Sequence, residues 1–487
     1  MALVEPGTVV DGFTVGEPVH EGGMAVLHRV TREDQEFPLL MKVPRIGPGE
    51  PAATIISYEV EAMVMAALQG PAVPRFVAAG DVAVLPYIVM EHVDARPLQE
   101  WADRAPLPAD EVARLGAALA TAVHLLHQQE AIHLDLKPGN VLVRPGGEAV
   151  LVDFGLAHHG HFPDLLAEET TRPIGSAPYM SPEQILGVRS DPRSDVFAIG
   201  AILYQLATGR LPFGQPTGEA GLRRRLWRDP VPPRAIARDL PPWLQEIILR
   251  CLEVDGRARY PTAAQLALDL VHPDEVAVGE RGKRLRQAGP LRVLKRWVKA
   301  AGYEPAPIPR PSVQLSQASI VMVAVATGHA DEAQLTALRE VARRDMAADP
   351  AARLAAVTVI RPASELGGSG LDDHATGHRI KELVALRHWA EPLGLPAARV
   401  SFHVLESADT AEALLRYARM NAVDHVVIGA PPRAAQMRGM LGSVSSDVSP
   451  DAMPEALKFF GSLGTVSTKV AAEAPCTVTI VRPRGPG

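Results

Sequence analysis

Two short strings in this chain carry most of its chemistry. A-I-H-L-D-L-K-P-G-N-V-L-V runs from Ala131 to Val143, and L-V-D-F-G-L-A runs from Leu151 to Ala157. Together they place a carboxylate base, a lysine and two metal-ligating side chains on neighbouring loops. That set suits phosphoryl transfer from ATP to a hydroxyl. Asp135 would orient the hydroxyl and accept its proton, while Asn140 and Asp153 would hold Mg2+ (or Mn2+) ions that screen the phosphate charge. Lys137 would point at the transferring group. Pro138 and Gly139 supply the tight turn that lets Asp135 and Asn140 face one cleft. Chance would have to provide about eight specified residues in order to mimic this, which makes a plain solvated turn a poor reading.

These residues need rigid support. Asn140-Val-Leu-Val and Ala149-Val-Leu-Val read as short strands around the turn Arg144 to Gly147, a hairpin carrying both loops on one edge. Upstream, L-L-M-K-V around Lys42 reads as a strand. Y-E-V-E-A-M-V-M-A-A-L reads as a helix in which Ala62, Met65, Ala66 and Leu68 continue an apolar face beyond Glu61. P-Y-I-V-M-E-H-V, Pro86 to Val93, reads as a buried strand.

From about Asp11 to His272 the chain resembles the bacterial eukaryotic-like serine/threonine protein kinases. The resemblance implies an α+β bilobal fold with an N-lobe over about 11–91 and a C-lobe over about 92–272. It implies that Lys42 grips the α- and β-phosphates of ATP and that Glu61, rather than the competing Glu59, pairs with it. Met90 would line the back of the adenine pocket, with the backbones of Glu91 and Val93 bonding the base. Glu183 in P-Y-M-S-P-E-Q would pair with Arg259 in G-R-A-R-Y, and Asp195 would anchor the catalytic loop. Lys137, two positions after the base, implies serine/threonine specificity and protein substrates. Ser176 stands where a threonine usually bonds the catalytic aspartate, and its hydroxyl is expected to keep that contact.

The family's glycine-rich phosphate loop appears here as His20-Glu21-Gly22-Gly23-Met24-Ala25, between Val19 and Leu27. His20 and Ala25 replace the first and third glycines. The loop works through backbone N–H groups, so the middle glycine is expected to matter most, and His20 or Ala25 fits extended backbone without strain. ATP affinity is expected to be weakened, not lost. A second departure is Leu134, where relatives carry an arginine that binds an activation-loop phosphate. Thr170 and Thr171 occupy the usual autophosphorylation positions, and their modification is expected to change activity only mildly. These departures define the alternative, a catalytically weak pseudokinase scaffold. His158, His159 and His161 crowd the same segment and could bind metal. With no cysteine or carboxylate to complete the set, they read as an exposed polar loop.

At 487 residues the length allows about three units of roughly 150 residues. A net charge of −7 is small for this length and argues against a nucleic-acid-binding surface. The two cysteines, Cys251 and Cys476, exclude a disulfide framework and fit a reducing cytoplasm. No apolar run reaches the roughly 18 residues of a membrane span, and the amino terminus lacks the order of a signal peptide. A soluble, cytoplasmic protein receiving its input inside the cell is the expectation.

Residues 273–314 form a basic, then proline-rich spacer ending in E-P-A-P-I-P-R-P. Within it Leu291, Leu294, Val298 and Ala301 recur at helical spacing with cations opposite. The spacing predicts a short amphipathic helix packed on a neighbouring lobe, with an anionic membrane surface as the alternative.

Over 315–484, five β-rich runs alternate with helical segments at Glu332 to Met346, Arg379 to Trp389 and Thr410 to Met420. This pattern predicts a parallel α/β sheet covered on both faces. V-V-I-G-A-P-P-R and the later G-S-L-G-T-V-S-T-K-V-A-A-E-A-P-C-T-V-T-I-V resemble the universal stress protein family over about Ser319 to Pro483. In nucleotide-binding members a glycine-rich loop and a Gly-Ser/Thr pair hold phosphates. The matching positions are Gly429 and either Gly442-Ser443 or Gly464-Thr465. Pro432 replaces a loop glycine, and Ala326 replaces an aspartate that contacts adenine. The resemblance therefore implies a regulatory module or a homodimer through the final strand.

Overall fold

The computed structural model describes residues 4–22, 25–45, 52–81, 85–169, 173–287, 289, 293–294, 297–298, 319–327, 331–361, 371–396, 399–430 and 465–483. They fall into two compact units, Met1–Leu315 and Ser316–Gly487.

The first unit opens with antiparallel strands β1 (Val9–Val10), β2 (Phe13–Glu21), β3 (Ala25–Thr31) and β4 (Leu39–Pro44). Helix α1 (Ala52–Ala67) follows, then β5 (Phe76–Ala79) and β6 (Ile88–Glu91), in sheet order β1-β2-β3-β4-β6-β5. Alternation builds this sheet: Phe13, Val15, Val30, Leu39, Met41 and Val89 project to one buried cluster. The rest of the unit is mainly helical, around α2 (Ala109–His127), α3 (Arg193–Thr208), α4 (Pro242–Cys251) and α5 (Ala263–Val271). Their apolar faces share one large core with α1. Between α2 and α3 lies the hairpin β7 (Val141–Val143) and β8 (Ala149–Leu151), with Ala149 opposite Val143 and Leu151 opposite Val141.

The second unit contains β9 (Ile320–Ala324), α6 (Glu332–Ala348), β10 (Arg353–Ile360), α7 (Leu371–Ala390), β11 (Val400–Glu406), α8 (Thr410–Met420), β12 (His425–Gly429), α9 (Thr465–Glu473) and β13 (Thr477–Val481). All five strands are parallel, in order β11-β10-β9-β12-β13. Ile320, Val321, Met322 and Val323 are buried in succession, so both faces of the sheet are covered. The expected fold classes of both regions are thus borne out.

The amphipathic spacer differs from expectation. Leu294 and Val298 are helical in backbone but 57% and 62% exposed, so this part of the stripe does not pack on a lobe. Leu291 and Ala301 lie outside the described residues.

Candidate active site

Asp195, at the start of α3, organises the catalytic loop from below. Its buried carboxylate accepts the backbone N–H groups of His133 and Leu134, both at 2.9 Å, and lies 2.9 Å from His127 Nε2. Burial pushes the Asp195 carboxyl up, but the His127 contact and the backbone bonds outweigh it and hold it below the usual range. Leu134 itself sits in the left-handed region at φ 60°, unusual for a bulky residue. Both its backbone groups are clamped, the N–H by Asp195 and the carbonyl by Gln184 Nε2 at 2.7 Å. The His133 ring accepts the Asp135 N–H at Nδ1 (3.3 Å), which leaves Nε2 to donate to Val152 O at 3.0 Å.

Asp135 is 8% exposed and surrounded by donors. Asn140 Nδ2 reaches Asp135 O at 2.9 Å and Oδ2 at 3.2 Å, and Lys137 Nζ reaches Oδ2 at 3.1 Å. Pro138–Asn140 is a single 3-10 turn, the tight turn expected there. Ser176 also meets Asp135, with one correction. The bond comes from its backbone N–H, 2.7 Å from Oδ1, and not from its hydroxyl. Main chain at that position makes the contact, which any residue type with an N–H could supply.

Lys42 projects from β4 into a second group. Its Nζ lies 2.7 Å from both Glu61 oxygens and 2.8 Å from Asp153 Oδ1. Glu61 is buried on α1, whereas Glu59 is exposed. Burial alone would push the Lys42 ammonium down, but the charges of Glu61 and Asp153 overrule it and the net shift is upward. Burial likewise raises Asp153, and the Lys42 ammonium turns the net shift downward, so this carboxylate stays ionised. Asp153 keeps 43% of its side chain exposed and sits at φ 68°. Beside it, a Cβ on Gly155 would overlap Ser57 Oγ of α1, so glycine is what allows the Asp153 loop to touch that helix.

A metal ion fits this donor set. Asn140 has an amide oxygen and Asp153 a carboxylate oxygen not taken by Lys42, both hard ligands. Among the described residues no group of three or more His, Cys, Asp or Glu could hold a metal alone. The three histidines are therefore not such a site, and they are not simply an exposed loop. His158 and His159 pair with Ala131–Ile132, and His159 is buried and stacked on Phe162 at 4.4 Å.

Above the cleft, Val19 and His20 are exposed on β2, while Ala25 and Leu27 are half-buried on β3. Glu21 is exposed and ion-paired to Arg45 at 3.0 Å. Gly22 N–H bonds Ala25 O at 2.9 Å, and a Cβ there would meet only ordinary contacts. Among the described residues nothing requires glycine at position 22. Gly23 and Met24 lie outside the described residues. On β6, between β4 and the edge strand β5, Met90 is buried; Glu91 N–H bonds Arg75 O at 2.9 Å and His92 N–H bonds Pro38 O at 2.7 Å. Buried Val93 carries the next backbone N–H along this connection.

The segment from Ser176 to Ile185 is fixed from several sides. Glu183 receives Arg259 Nη1 and Nη2 at 2.5 and 2.8 Å, the pairing expected from sequence. Gln184 completes a capping box with Ser181 while its amide holds Leu134. Arg225 is 1% exposed and donates to Ala177 O at 2.6 Å and to Met180 O. Burial pushes its guanidinium down to about 10. Sequence reasoning missed Gln184 and Arg225. The S-P-E-Q string is itself a capping-box signature that could have pointed to Gln184, whereas Arg225 had no local signal. Thr170 and Thr171 lie outside the described residues.

In the second unit Gly429 ends β12, where a Cβ would overlap Gln334 of α6, whose Nε2 donates to Val481 O at 3.1 Å. Its smallness is explained by this internal contact. Thr465 opens α9, and Gly442, Ser443 and Gly464 lie outside the described residues.

A two-lobed fold with a lysine–glutamate pair on one side of the cleft and an Asp/Asn/Asp set on the other defines a protein kinase. The family model described as "Protein kinase domain" matches residues 13–270, more than half of the sequence, and the chain belongs to that family. Residues 320–451 match the model of the universal stress protein family. A relative named serine/threonine-protein kinase PknB from Mycolicibacterium smegmatis is 30% identical over 325 residues, covering 65% of this chain and 52% of its own. Serine/threonine-protein kinase PksC from Streptomyces coelicolor is 32% identical over 252 residues, covering 50% of this chain and 45% of its own. The chain thus spans about half the length of the curated relatives it matches. The solved kinase domain of Mycobacterium tuberculosis PknI is 24% identical with a TM-score of 0.44, covering 56% of this chain and 100% of its own. No helix among the described residues is long and apolar enough to cross a membrane.

Proposed function

We propose that this chain is an active serine/threonine protein kinase, with its kinase domain over 11–272, a spacer over 273–314 and a regulatory domain over 315–484. The observation that carries this is the unbroken chain Glu61–Lys42–Asp153, joined in one cleft by Asp135 and Asn140. ATP supplies the phosphoryl group, and Mg2+ or Mn2+ held by Asn140 and Asp153 lowers the cost of its charge. Asp135, with Oδ1 fixed by Ser176 N–H, orients a serine or threonine hydroxyl and takes its proton. Lys137 neutralises charge between base and phosphate. Lys42 grips the α- and β-phosphates, and Glu61 keeps it aimed.

Gly22 fits the same reading. Among the described residues no contact demands its lack of a side chain, which would suit a close backbone approach by phosphate. Val19, Leu27 and Met90 would sandwich the adenine, with Glu91 and Val93 at its edge. A pseudokinase scaffold has no use for the intact base, lysine and metal set. Incubation with labelled ATP, Mg2+ and a basic acceptor protein tests the proposal, and wild-type incorporation no greater than that of Lys42→Met would refute it.

For the second domain we favour regulation through self-association. Strand β13 lies at the edge of the sheet, the position from which a second copy can extend it. Ala326 is exposed and apolar where a nucleotide-contacting aspartate is expected, which weighs against ATP binding there. Two unpaired cysteines, one buried, fit a cytoplasmic location.

A further inference from the structure

The spacer after the kinase core has an anchored part and a largely exposed part, whose Leu294 and Trp297 also border a pocket beside Trp227 of the core. Gln245 of α4 donates to the carbonyls of Arg281 and Arg284, both at 2.8 Å. Arg281 pairs with Glu253 at 2.7 Å and Glu246 at 3.2 Å, and Arg284 pairs with Asp229 at 3.2 Å. These contacts tie the start of the segment to the kinase core and leave Lys283, Leu285 and Arg286 exposed. Beyond them Leu294, Trp297 and Val298 are exposed as well. Of the eleven exposed large hydrophobic residues among those described, four fall here: Leu285 at 56%, Leu294 at 57%, Trp297 at 52% and Val298 at 62%. Scattered apolar residues need no explanation, but a cluster of this kind marks an interaction surface.

Its charge says what the partner is. From Arg281 to Tyr303 the sequence holds no aspartate or glutamate and, besides the core-paired Arg281 and Arg284, six further lysines and arginines, in a chain whose net charge is −7. Cations alternate with the apolar residues: Arg292, Lys295, Arg296 and Lys299 flank Leu294, Trp297 and Val298 in sequence. A polyanion such as nucleic acid would use the cations and gain little from Leu285, Leu294 or Val298. A bilayer uses both, because aliphatic side chains enter the acyl boundary, tryptophan settles at headgroup depth and lysine and arginine meet anionic headgroups. We propose that Lys283, Leu285, Arg286, Leu294, Trp297 and Val298 belong to a peripheral docking surface for an anionic lipid bilayer, tethering the kinase core to the membrane.

Flotation of the full chain with vesicles tests this. Vesicles of phosphatidylcholine with about one third phosphatidylglycerol should retain the protein at least tenfold better than phosphatidylcholine alone, and raising salt from about 0.05 to 0.5 M should weaken binding. L294A/V298A and, separately, K283E/R286E should each reduce retention about tenfold or more while phosphotransfer in solution is unchanged. Trp297→Phe should keep binding but remove most of the lipid-induced blue shift in tryptophan emission. Equal retention by both vesicle types, or none, would overturn the proposal. So would unchanged binding by L294A/V298A together with competition by duplex DNA, which would make the segment a general polyanion site.

Discussion

Asp135, the proposed base, is held on both carboxylate oxygens. Its Oδ1 is held by a backbone N–H and its Oδ2 by Asn140 and Lys137. Asp135→Asn keeps the shape and removes the proton acceptor, and should lower phosphotransfer by about 10²–10⁴-fold in a steady-state assay. Gln184→Leu should act differently, since it frees the carbonyl of a left-handed Leu134 without touching substrate. We expect kcat to fall about tenfold with little change in KM for ATP, and an unchanged kcat would remove Gln184 from the positioning machinery. Asp164 offers a pH test. Burial pushes its carboxyl up, but His158 and Arg189 hold it down at about 2 against an ordinary 3.8. A depressed carboxyl stabilises the fold above its unfolded value and loses that contribution as pH falls through the folded one. Wild type should therefore shed roughly 2 kcal/mol between about pH 4 and pH 2 that Asp164→Asn does not, as read by denaturant unfolding. That these residues would meet was legible in the sequence: Asp135, Asn140 and Asp153 sit in two short strings with fixed spacing, and Lys42 was placed by the family resemblance. Ser176 was only half legible: its place beside the base was correct, but a main-chain contact leaves no mark on residue type.

At the level of elements, the segment from Ser176 to Ile185 explains how Leu134 is tolerated. An arginine there would order the segment only after phosphorylation. Here Arg259–Glu183, Arg225 and the Gln184 capping box already fix it. Removing phosphate with a phosphatase should change the initial rate only a few-fold, and a hundredfold loss would show that a phosphate is needed after all. Arg225→Met would leave two carbonyls without their donor, at a cost of about 1–3 kcal/mol in stability. It should also raise KM for a peptide acceptor more than KM for ATP. Such long-range clamps escape sequence reading, because Arg225 reaches Ala177 across 48 positions with no pattern to announce it. Strands and amphipathic helices leave a periodic signal, which is why Thr410–Met420 coincides with its expected bounds. Exposed Leu294 shows the limit: periodicity predicts an apolar face but not what covers it.

Across the whole molecule, two compact units share one chain, and the second carries its own titrating group. Burial pushes the Asp424 carboxyl up to about 6, partly offset by the Ile320 N–H and reinforced by Asp349. A raised carboxyl favours the fold at low pH and loses that contribution as pH climbs through about 6. The Ser316–Gly487 unit within the full chain should thus unfold at lower temperature as pH rises from about 4 to about 6, and Asp424→Asn should flatten that dependence. Both folds were readable as classes from the sequence, the kinase core through its resemblance to a family and the parallel sheet through its regular alternation of strands and helices. What each glycine is for was not. Gly22 has room to spare, Gly429 accommodates Gln334, and Gly155 accommodates Ser57.

That last contact has a mechanical consequence. With no side chain to act as a spacer, the helix bearing Glu61 and the loop bearing Asp153 form a matched bearing surface without clearance. A side chain at position 155 would have to displace Ser57, so any substitution there would wedge the loop bearing Asp153 away from the helix bearing Glu61.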